Sequence, residues 1–228
     1  MHAFRNRGLL VPGMIVMQLV GASSLFADFF AIPNPSAQYV QATALIDFAA
    51  DGSLVSSMSD GTLTISYDTD LEQAGVPAVW QTWNTPPAVE TATPNVGMTD
   101  FVSSLTSSFS LPVYVFGFEA EPDFLGFDEI TASFYNGSTL VGTIDQNVNG
   151  TGGALLFAAF TTTNPFTSVA VSDVDGDDFA IARQRYSVVS TQFSSTPEPG
   201  GLLLLGSGLM VLIFLRKVFL RKSSAPFA

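Results

Sequence analysis

Residues 130–144 read ITASFYNGSTLVGTI, and this stretch predicts a β-hairpin within an all-β fold. Asn136-Gly137 at its centre is typical of a tight turn between antiparallel strands. A two-residue loop would divide the apolar residues between the two faces of the hairpin. A three-residue loop places four of them on one face: Ile130, Phe134, Leu140 and Ile144. Because register follows the buried face, we predict the three-residue loop.

Short apolar runs recur along the chain and predict further strands. Gly, Asn, Asp and Pro separate these runs between residues 28 and 195, and residues 83–101 look irregular. Many short strands with turn residues between them are typical of a sandwich or barrel. We therefore predict an antiparallel β-sandwich or barrel without an amphipathic helix. The predicted strands are 42–49, 62–67, 79–83, 108–119, 129–135, 139–145, 153–161, 166–172 and 178–189.

The composition excludes several kinds of chemistry. The chain has 228 residues, no Cys and a single His at position 2. The body at residues 28–195 therefore has no disulfide, no thiolate or His-based metal site, and no Ser-His or Cys-His nucleophile. It contains 19 acidic residues and two arginines, a net charge of −17, which repels phosphate backbones. We expect no nucleic-acid partner, and the 20 Phe of the chain predict a packed core.

Residues 1–27 have the layout of a secretory signal peptide. Arg5 and Arg7 precede an apolar run at 9–20, and small residues follow. Cleavage after Ala27 would leave Asp28 as the first residue of the mature protein, and positions 22 and 24 are alternative cleavage sites. The alternative interpretation is that residues 1–27 are a retained membrane anchor, but the apolar run is short for a span of about 20 residues.

The other end of the chain predicts a membrane helix. Residues 200–215 carry no charge and consist mostly of Leu, Val, Ile, Phe and Gly. At about 1.5 Å per residue they reach roughly 24 Å, and the basic residues at 216–222 extend the span by snorkelling. Basic flanks stay cytoplasmic, so the body is expected outside the membrane.

The last thirty or so residues resemble the sorting signal of PEP-CTERM proteins. The resemblance is carried by Pro197-Glu198-Pro199, the Gly- and Leu-rich span and Arg216-Lys217, in that order. It implies a Gram-negative bacterium and recognition by exosortase, a membrane-embedded cysteine transpeptidase. It also implies processing near the triad and delivery to the cell surface or an extracellular polysaccharide matrix. The tail continues past the first basic pair to Ala228, which leaves the cut site open.

The body more loosely resembles ectodomains found ahead of this sorting signal. The carrying residues are Trp80-Gln-Thr-Trp83 with Pro86-Pro87 and Glu90, then Phe116-Gly-Phe-Glu119-Ala-Glu-Pro122, the hairpin, and the late segment from Phe166 to Tyr186. The resemblance implies a jelly-roll-like sandwich similar to carbohydrate-binding modules. It transfers no ligand residues.

Two tryptophans and two arginines are candidate contacts for sugars. Trp80 and Trp83 lie three apart beside a proline-rich loop, and exposed aromatic rings stack on sugar rings. The alternative is that one or both rings cover the core. Arg183 and Arg185 are the only basic residues between positions 28 and 195. Neutralisation of neighbouring acids accounts for them, and binding of acidic sugars is the alternative.

An acidic cluster is the candidate metal site. It consists of Asp173, Asp175, Asp177 and Asp178. Four carboxylates in six residues suit a hard cation such as Ca²⁺, although the spacing does not fit an EF-hand loop. A charged turn between two strands is the alternative.

A pair of carboxylates is the candidate for catalysis. Glu119 and Glu121 are two apart on a strand ending at Pro122, so they share one face. A glycosidase needs two carboxylates about 5 Å apart or more, and this spacing is compatible. A solvated strand end is the simpler interpretation, and we predict no catalytic residue.

Together these patterns predict an exported surface or matrix protein that is not an enzyme. Its partners would be signal peptidase and the secretion machinery, exosortase, the membrane before processing, and extracellular polysaccharide. The body would bind polysaccharide or serve as a structural module, as in a biofilm. A carboxylate-dependent glycoside-active enzyme and a Ca²⁺-dependent adhesion module are the alternatives.

Overall fold

A computed structural model describes residues 28–83, 90–174, 176 and 178–190 of the chain. This part contains one short helix and twelve strands. They are β1 Phe30–Ile32, α1 Ala37–Ala42, β2 Ala44–Ile46, β3 Leu54–Ser59, β4 Thr64–Gly75, β5 Asn95–Met98, β6 Ser104–Val113, β7 Val115–Pro122, β8 Phe127–Asn136, β9 Thr139–Asn149, β10 Leu155–Phe160, β11 Phe166–Asp173 and β12 Phe179–Ser187. The predicted signal peptide, the predicted sorting signal and the membrane span predicted at 200–215 lie outside the described residues.

All strand pairs are antiparallel and form one continuous sheet. The order is β1-β10-β7-β12-β5-β4-β6-β11-β8-β9, with β2 added beside β12 and β3 beside β4. The sheet folds over, so that one core contains side chains from β7 and β10 as well as from β6, β8 and β11. The rings of Phe109 on β6 and Phe116 on β7 meet across this core with centroids 4.4 Å apart. The all-β antiparallel prediction is confirmed.

Strand β7 is buried on both faces because a third layer covers the outside of the sheet. Phe116 and Phe118 point into the core between the two halves of the sheet. On the opposite face, α1 and residues 76–83 cover β10, β7 and β12. We call residues 76–83 the Trp strap. The backbone of β7 lies directly under α1 at Gly117, where a Cβ atom would be 2.4 Å from the Tyr39 hydroxyl oxygen.

The central hairpin forms, but its predicted register is wrong. Asn136 pairs with Thr139, so Gly137 and Ser138 make a two-residue loop. A register shift follows beyond Tyr135, which pairs with Leu140. This bulge brings Ile144 onto the face of Phe134 and leaves Leu140 exposed on the other face. The bulge, and not the length of the loop, therefore places Phe134 and Ile144 on the same face of the hairpin.

Other strand predictions are wrong at places where the chain changes layer. The predicted strand 79–83 is the turn-containing Trp strap, and the predicted strand 108–119 is two strands, β6 and β7, that meet at Tyr114. Strands β1, β3 and β5 were not predicted, and β5 lies in the stretch expected to be irregular. The six-residue helix α1 was also missed; its N-terminus is capped by Ser36, whose hydroxyl oxygen accepts the Tyr39 N–H at 3.2 Å.

The described residues include no helix with the length and hydrophobicity of a membrane span.

Candidate functional site

Two tryptophan–glutamate pairs fasten the Trp strap to β7. The indole N–H of Trp80 donates to Glu121 Oε2 at 2.8 Å, and that of Trp83 donates to Glu119 Oε2 at 2.8 Å. The exposed fractions of the rings are 8% for Trp80 and 1% for Trp83. The sequence left open whether the rings contact sugars or cover the core, and in the structure both rings cover the outer face of the sheet.

The two glutamates are buried and share one face of β7. Glu119 Oε1 also accepts the backbone N–H of Glu90 at 2.7 Å. Burial raises the pKa of Glu119 to about 7, although the hydrogen bonds from Trp83 and Glu90 lower it. Burial likewise raises the pKa of Glu121 to about 7, against the hydrogen bonds from Thr82 and Trp80. The interpretation of this pair as a solvated strand end is wrong, because neither glutamate has exposed surface. In this conformation neither carboxyl group is in contact with solvent, where a sugar would bind.

The two arginines pair with acids at different depths. Arg185 is buried and binds both carboxylate oxygens of Glu90, at 2.5 Å through Nε and 2.7 Å through Nη2. Arg183 lies at a register shift of β12 with φ of +53° and contacts Asp47 at 3.3 Å near the surface. Each arginine is thus paired with an acid.

The predicted metal site is only partly described. Asp173 Oδ1 accepts the Gly176 N–H at 3.2 Å, and Asp178 Oδ2 accepts the Phe101 N–H at 3.3 Å. Asp175 and Asp177 lie outside the described residues. Within the described ranges no three acidic or His side chains are grouped as metal ligands. Binding of Ca²⁺ to the cluster stays a prediction.

An open groove of about 390 Å³ lies where three neighbouring strands have their ends. Strand β5 ends at Met98, β7 ends at Pro122, and β12 begins at Phe179. The loops that follow or precede them form the groove, and the Trp strap forms one wall of it. Its lining includes the side chains Val79, Trp80, Gln81, Thr82, Asp100, Phe101, Asp123, Phe124, Leu125 and Asp178. Trp80 therefore touches the groove at its small exposed edge.

Exposed apolar side chains and carboxylates meet in this groove. Phe101 is 89% exposed, and Phe124 and Leu125 are also exposed. Asp100 and Phe101 both have positive φ, of 38° and 62°, a strained conformation for residues other than glycine. The hydrogen bond to Asp178 holds this turn. An aromatic ring in a strained turn is thus exposed to solvent beside acidic acceptors.

Sequence reasoning missed the groove residues, although a signal for them exists. Phe124-Leu125 stands between Asp123 and Gly126, and Phe101 follows Asp100. Turns that contain Asp and Gly are usually polar, so large apolar residues inside them indicate a surface that contacts something.

Asp28, the first described residue, was also missed. Its carboxylate accepts hydrogen bonds from the backbone N–H groups of Thr162 and Thr163 at 2.7 and 2.6 Å. Burial acts to raise the pKa of Asp28, but hydrogen bonds from Thr162, Thr163 and Thr161 hold it well below its usual range. A second hollow of about 400 Å³ lies beside it. The aromatic ring in its lining, Phe29, is packed against Phe134 at 5.4 Å between centroids.

No protein-family model matches the chain, and no curated protein matches it by sequence. Among solved structures, a family 29 carbohydrate-binding module (CBM29-2) is similar over 75% of this chain and 100% of that chain, with 10% identity and a TM-score of 0.28. The CBM22-1–GH10 modules of Clostridium thermocellum endo-1,4-beta-D-xylanase 10B match over 66% of this chain and 30% of theirs, with 9% identity and a TM-score of 0.31. The enzymatically active domain of bacteriophage CBA120 tailspike protein 4 matches over 63% and 22%, with 14% identity and a TM-score of 0.29. At TM-scores this low the likenesses carry no argument for this chain.

Proposed function

We propose that this protein is exported to the cell surface or extracellular matrix and that its β-sandwich binds polysaccharide in the groove. The observation that carries the binding proposal is the strained turn that exposes Phe101 beside Asp100 and Asp178. Aromatic rings offer apolar faces to the C–H groups of sugars, and carboxylates accept hydrogen bonds from sugar hydroxyls. The jelly-roll-like topology predicted from the sequence belongs to this proposal.

The charge of the groove selects the class of polysaccharide. Three carboxylates line it, from Asp100, Asp123 and Asp178. Arg183 and Arg185, the only basic residues of the body, are paired with Asp47 and Glu90 instead. An acidic groove whose described lining contains no cation repels uronate, sulfate and phosphate groups. The ligand proposed is therefore a polysaccharide without acidic groups.

Replacing Phe101 by alanine is expected to weaken polysaccharide binding about tenfold or more while leaving stability unchanged. The ring is 89% exposed, so its loss removes no core contact, whereas a stacked ring contributes about 1.4 kcal/mol to binding. Phe127→Ala is the matched control, because Phe127 is 69% exposed and does not line the groove. Affinity electrophoresis in gels containing the extracellular polysaccharide measures both variants. Equal binding by wild type and Phe101→Ala would contradict the groove assignment.

Sorting by exosortase is the second half of the proposal, and the sequence of residues 196–228 supports it. Pro197 and Pro199 keep the segment extended, and Glu198 is a single charge before an apolar span. We expect the protein from cells with active exosortase to lack the end of its tail, and the Glu198→Ala variant to accumulate as the longer precursor. Intact-mass measurement distinguishes the two forms. Recovery of wild-type protein with residues 200–228 intact from such cells would refute the sorting proposal.

A further inference from the structure

Two side chains in one wall of the groove bind the same acidic side chain, that of Glu121. Four consecutive residues of the Trp strap, 79–82, line the groove. Two of them contact Glu121: the Trp80 indole nitrogen lies 2.8 Å from Oε2, and the Thr82 hydroxyl oxygen lies 2.6 Å from Oε1. Glu121 is the last residue of β7 before Pro122, so it connects the rigid sheet to the wall.

The geometry around Thr82 indicates where the proton of this acid lies. The Thr82 hydroxyl oxygen is 2.6 Å from Glu121 Oε1 and 2.7 Å from the carbonyl oxygen of Gly150. A hydroxyl group has one hydrogen and cannot donate to both oxygens. Both contacts are hydrogen bonds when Glu121 carries a proton, since its O–H then donates to Thr82, which donates to Gly150. An ionised Glu121 leaves two acceptors competing for one hydrogen.

We propose that Glu121, as a neutral acid, is the positioning residue that holds the Trp strap as a wall of the groove, and that its ionisation releases this wall. The proposal rests on the contacts of Glu121 with Trp80 and Thr82, and on the contact of Thr82 with the carbonyl oxygen of Gly150. The role of the wall in binding rests on the proposed function, whereas the release of the strap does not.

The surroundings of Glu121 favour its neutral form. Burial raises its pKa to about 7, and the negative charge of Asp123 raises it further. Strand β10, on one side of β7, carries no titratable residue. The other titratable and charged groups on β7 and on the segments packed around Glu121 are Glu119, Asp123, Asp100, Asp178, Glu90, Tyr39, Arg183 and Arg185. Both arginines already pair with other acids.

The equilibrium between the closed and the open strap depends on pH, because the Glu121 carboxyl group has a different pKa in each form. Below about pH 4.5 the carboxyl group is neutral whether the strap is closed or open, so pH has no effect. As pH rises, the open form ionises first, because its carboxyl group has the ordinary pKa. The ratio of closed to open strap then falls until pH exceeds about 7, by about 300-fold in total, the ratio of the two acid constants. We expect a closed wall below about pH 4.5 and a loosened wall above about pH 7.

Intrinsic fluorescence tests this inference without any ligand, because Trp80 and Trp83 are the two tryptophans of the chain. In the purified full-length protein, quenching by acrylamide should rise between about pH 4.5 and pH 7 and reach a plateau above pH 7. Glu121→Gln should keep Trp80 shielded throughout, because its amide oxygen accepts the indole N–H and its amide N–H donates to Thr82. A flat wild-type profile, or an unchanged transition in Glu121→Gln, would overturn the inference.

Glu119→Gln is the matched control. Glu119 is an equally buried carboxyl group on the same strand, but it holds Trp83, which does not line the groove. This variant should retain the Trp80 part of the transition. If Glu121→Gln does not fold, infrared difference spectra of Glu119→Gln, which lacks the other buried carboxyl group, should show the loss of a protonated carboxyl band between about pH 5 and pH 8. Absence of that band at about pH 5 would also overturn the inference.

Binding measurements separate this inference from the proposed function. Retardation by the extracellular polysaccharide should decrease above the fluorescence midpoint in the wild type and stay constant in Glu121→Gln. A fluorescence transition together with no polysaccharide binding at any pH would refute the proposed function and support the release of the strap. Binding that is independent of pH despite the transition would refute the role of the strap as a wall of the groove.

Discussion

Replacing Trp83 by alanine is expected to destabilise the protein by about 4 kcal/mol, the usual cost of removing a large buried aromatic side chain. The ring is 1% exposed and packs against Val96, Ala154 and Ala182. Its loss also removes the indole donor of Glu119, which leaves a buried carboxyl group with one donor fewer. Chemical denaturation at pH 6 measures the free energy of unfolding.

Val79→Ala is the control for this experiment. Val79 belongs to the same strap but is 59% exposed, so its truncation should change stability by less than about 0.5 kcal/mol. If Trp83→Ala is as stable as the wild type and loses polysaccharide binding, then the ring is a ligand platform and the structural role assigned here is wrong.

The second large effect is expected at Arg185. Its guanidinium group binds Glu90 and lies 3.3 Å from the carbonyl oxygen of Val40 in α1. Arg185 therefore connects the chain at Glu90 to α1. Arg185→Ala leaves the carboxylate of Glu90 without its cation in a largely buried position. Breaking a buried ion pair in this way costs about 3–5 kcal/mol, and thermal or chemical denaturation measures it.

Arg183 provides the comparison, since it is the other arginine of the body. Its contact with Asp47 is partly exposed, and such pairs contribute about 1 kcal/mol or less. Arg183→Ala should therefore be close to wild type in stability. Equal losses in the two variants would show that burial does not distinguish the two pairs.

The sequence predicted the central hairpin because its side chains alternate between a buried and a more exposed face. Strand β8 shows this pattern, with Ile130, Ala132 and Phe134 buried at alternate positions. Its hairpin was found for this reason, although the bulge beyond Tyr135 could not be foreseen from the period of the pattern. Bulges change register without changing composition.

The outer layer was not predictable by the same reasoning. The residues of β7 alternate between Phe116, Phe118 and Glu119, Glu121, a pattern that normally indicates one core face and one solvated face. Here the polar face is buried too, because the Trp strap supplies a hydrogen-bond donor for each carboxyl group. Tertiary contacts between residues about 36–41 positions apart determine this arrangement. The spacing of the two tryptophans alone does not reveal it.

The groove was missed for a different reason. Its aromatic residues lie in turns, at Phe101 and Phe124, where strand and helix periodicity gives no information. The sequence analysis named the two tryptophans as the candidate sugar contacts instead. Only the juxtaposition of three strand ends brings these turns and the edge of Trp80 to one surface.

Binding of the purified wild-type protein to the extracellular polysaccharide of the producing organism tests the central claim most directly. Affinity electrophoresis is carried out at about pH 4.5, where ionisation of Glu121 has not yet released the strap. We expect saturable retardation by polysaccharide without acidic groups and none by a uronate polymer such as alginate. A folded protein that migrates unretarded through every polysaccharide would contradict it.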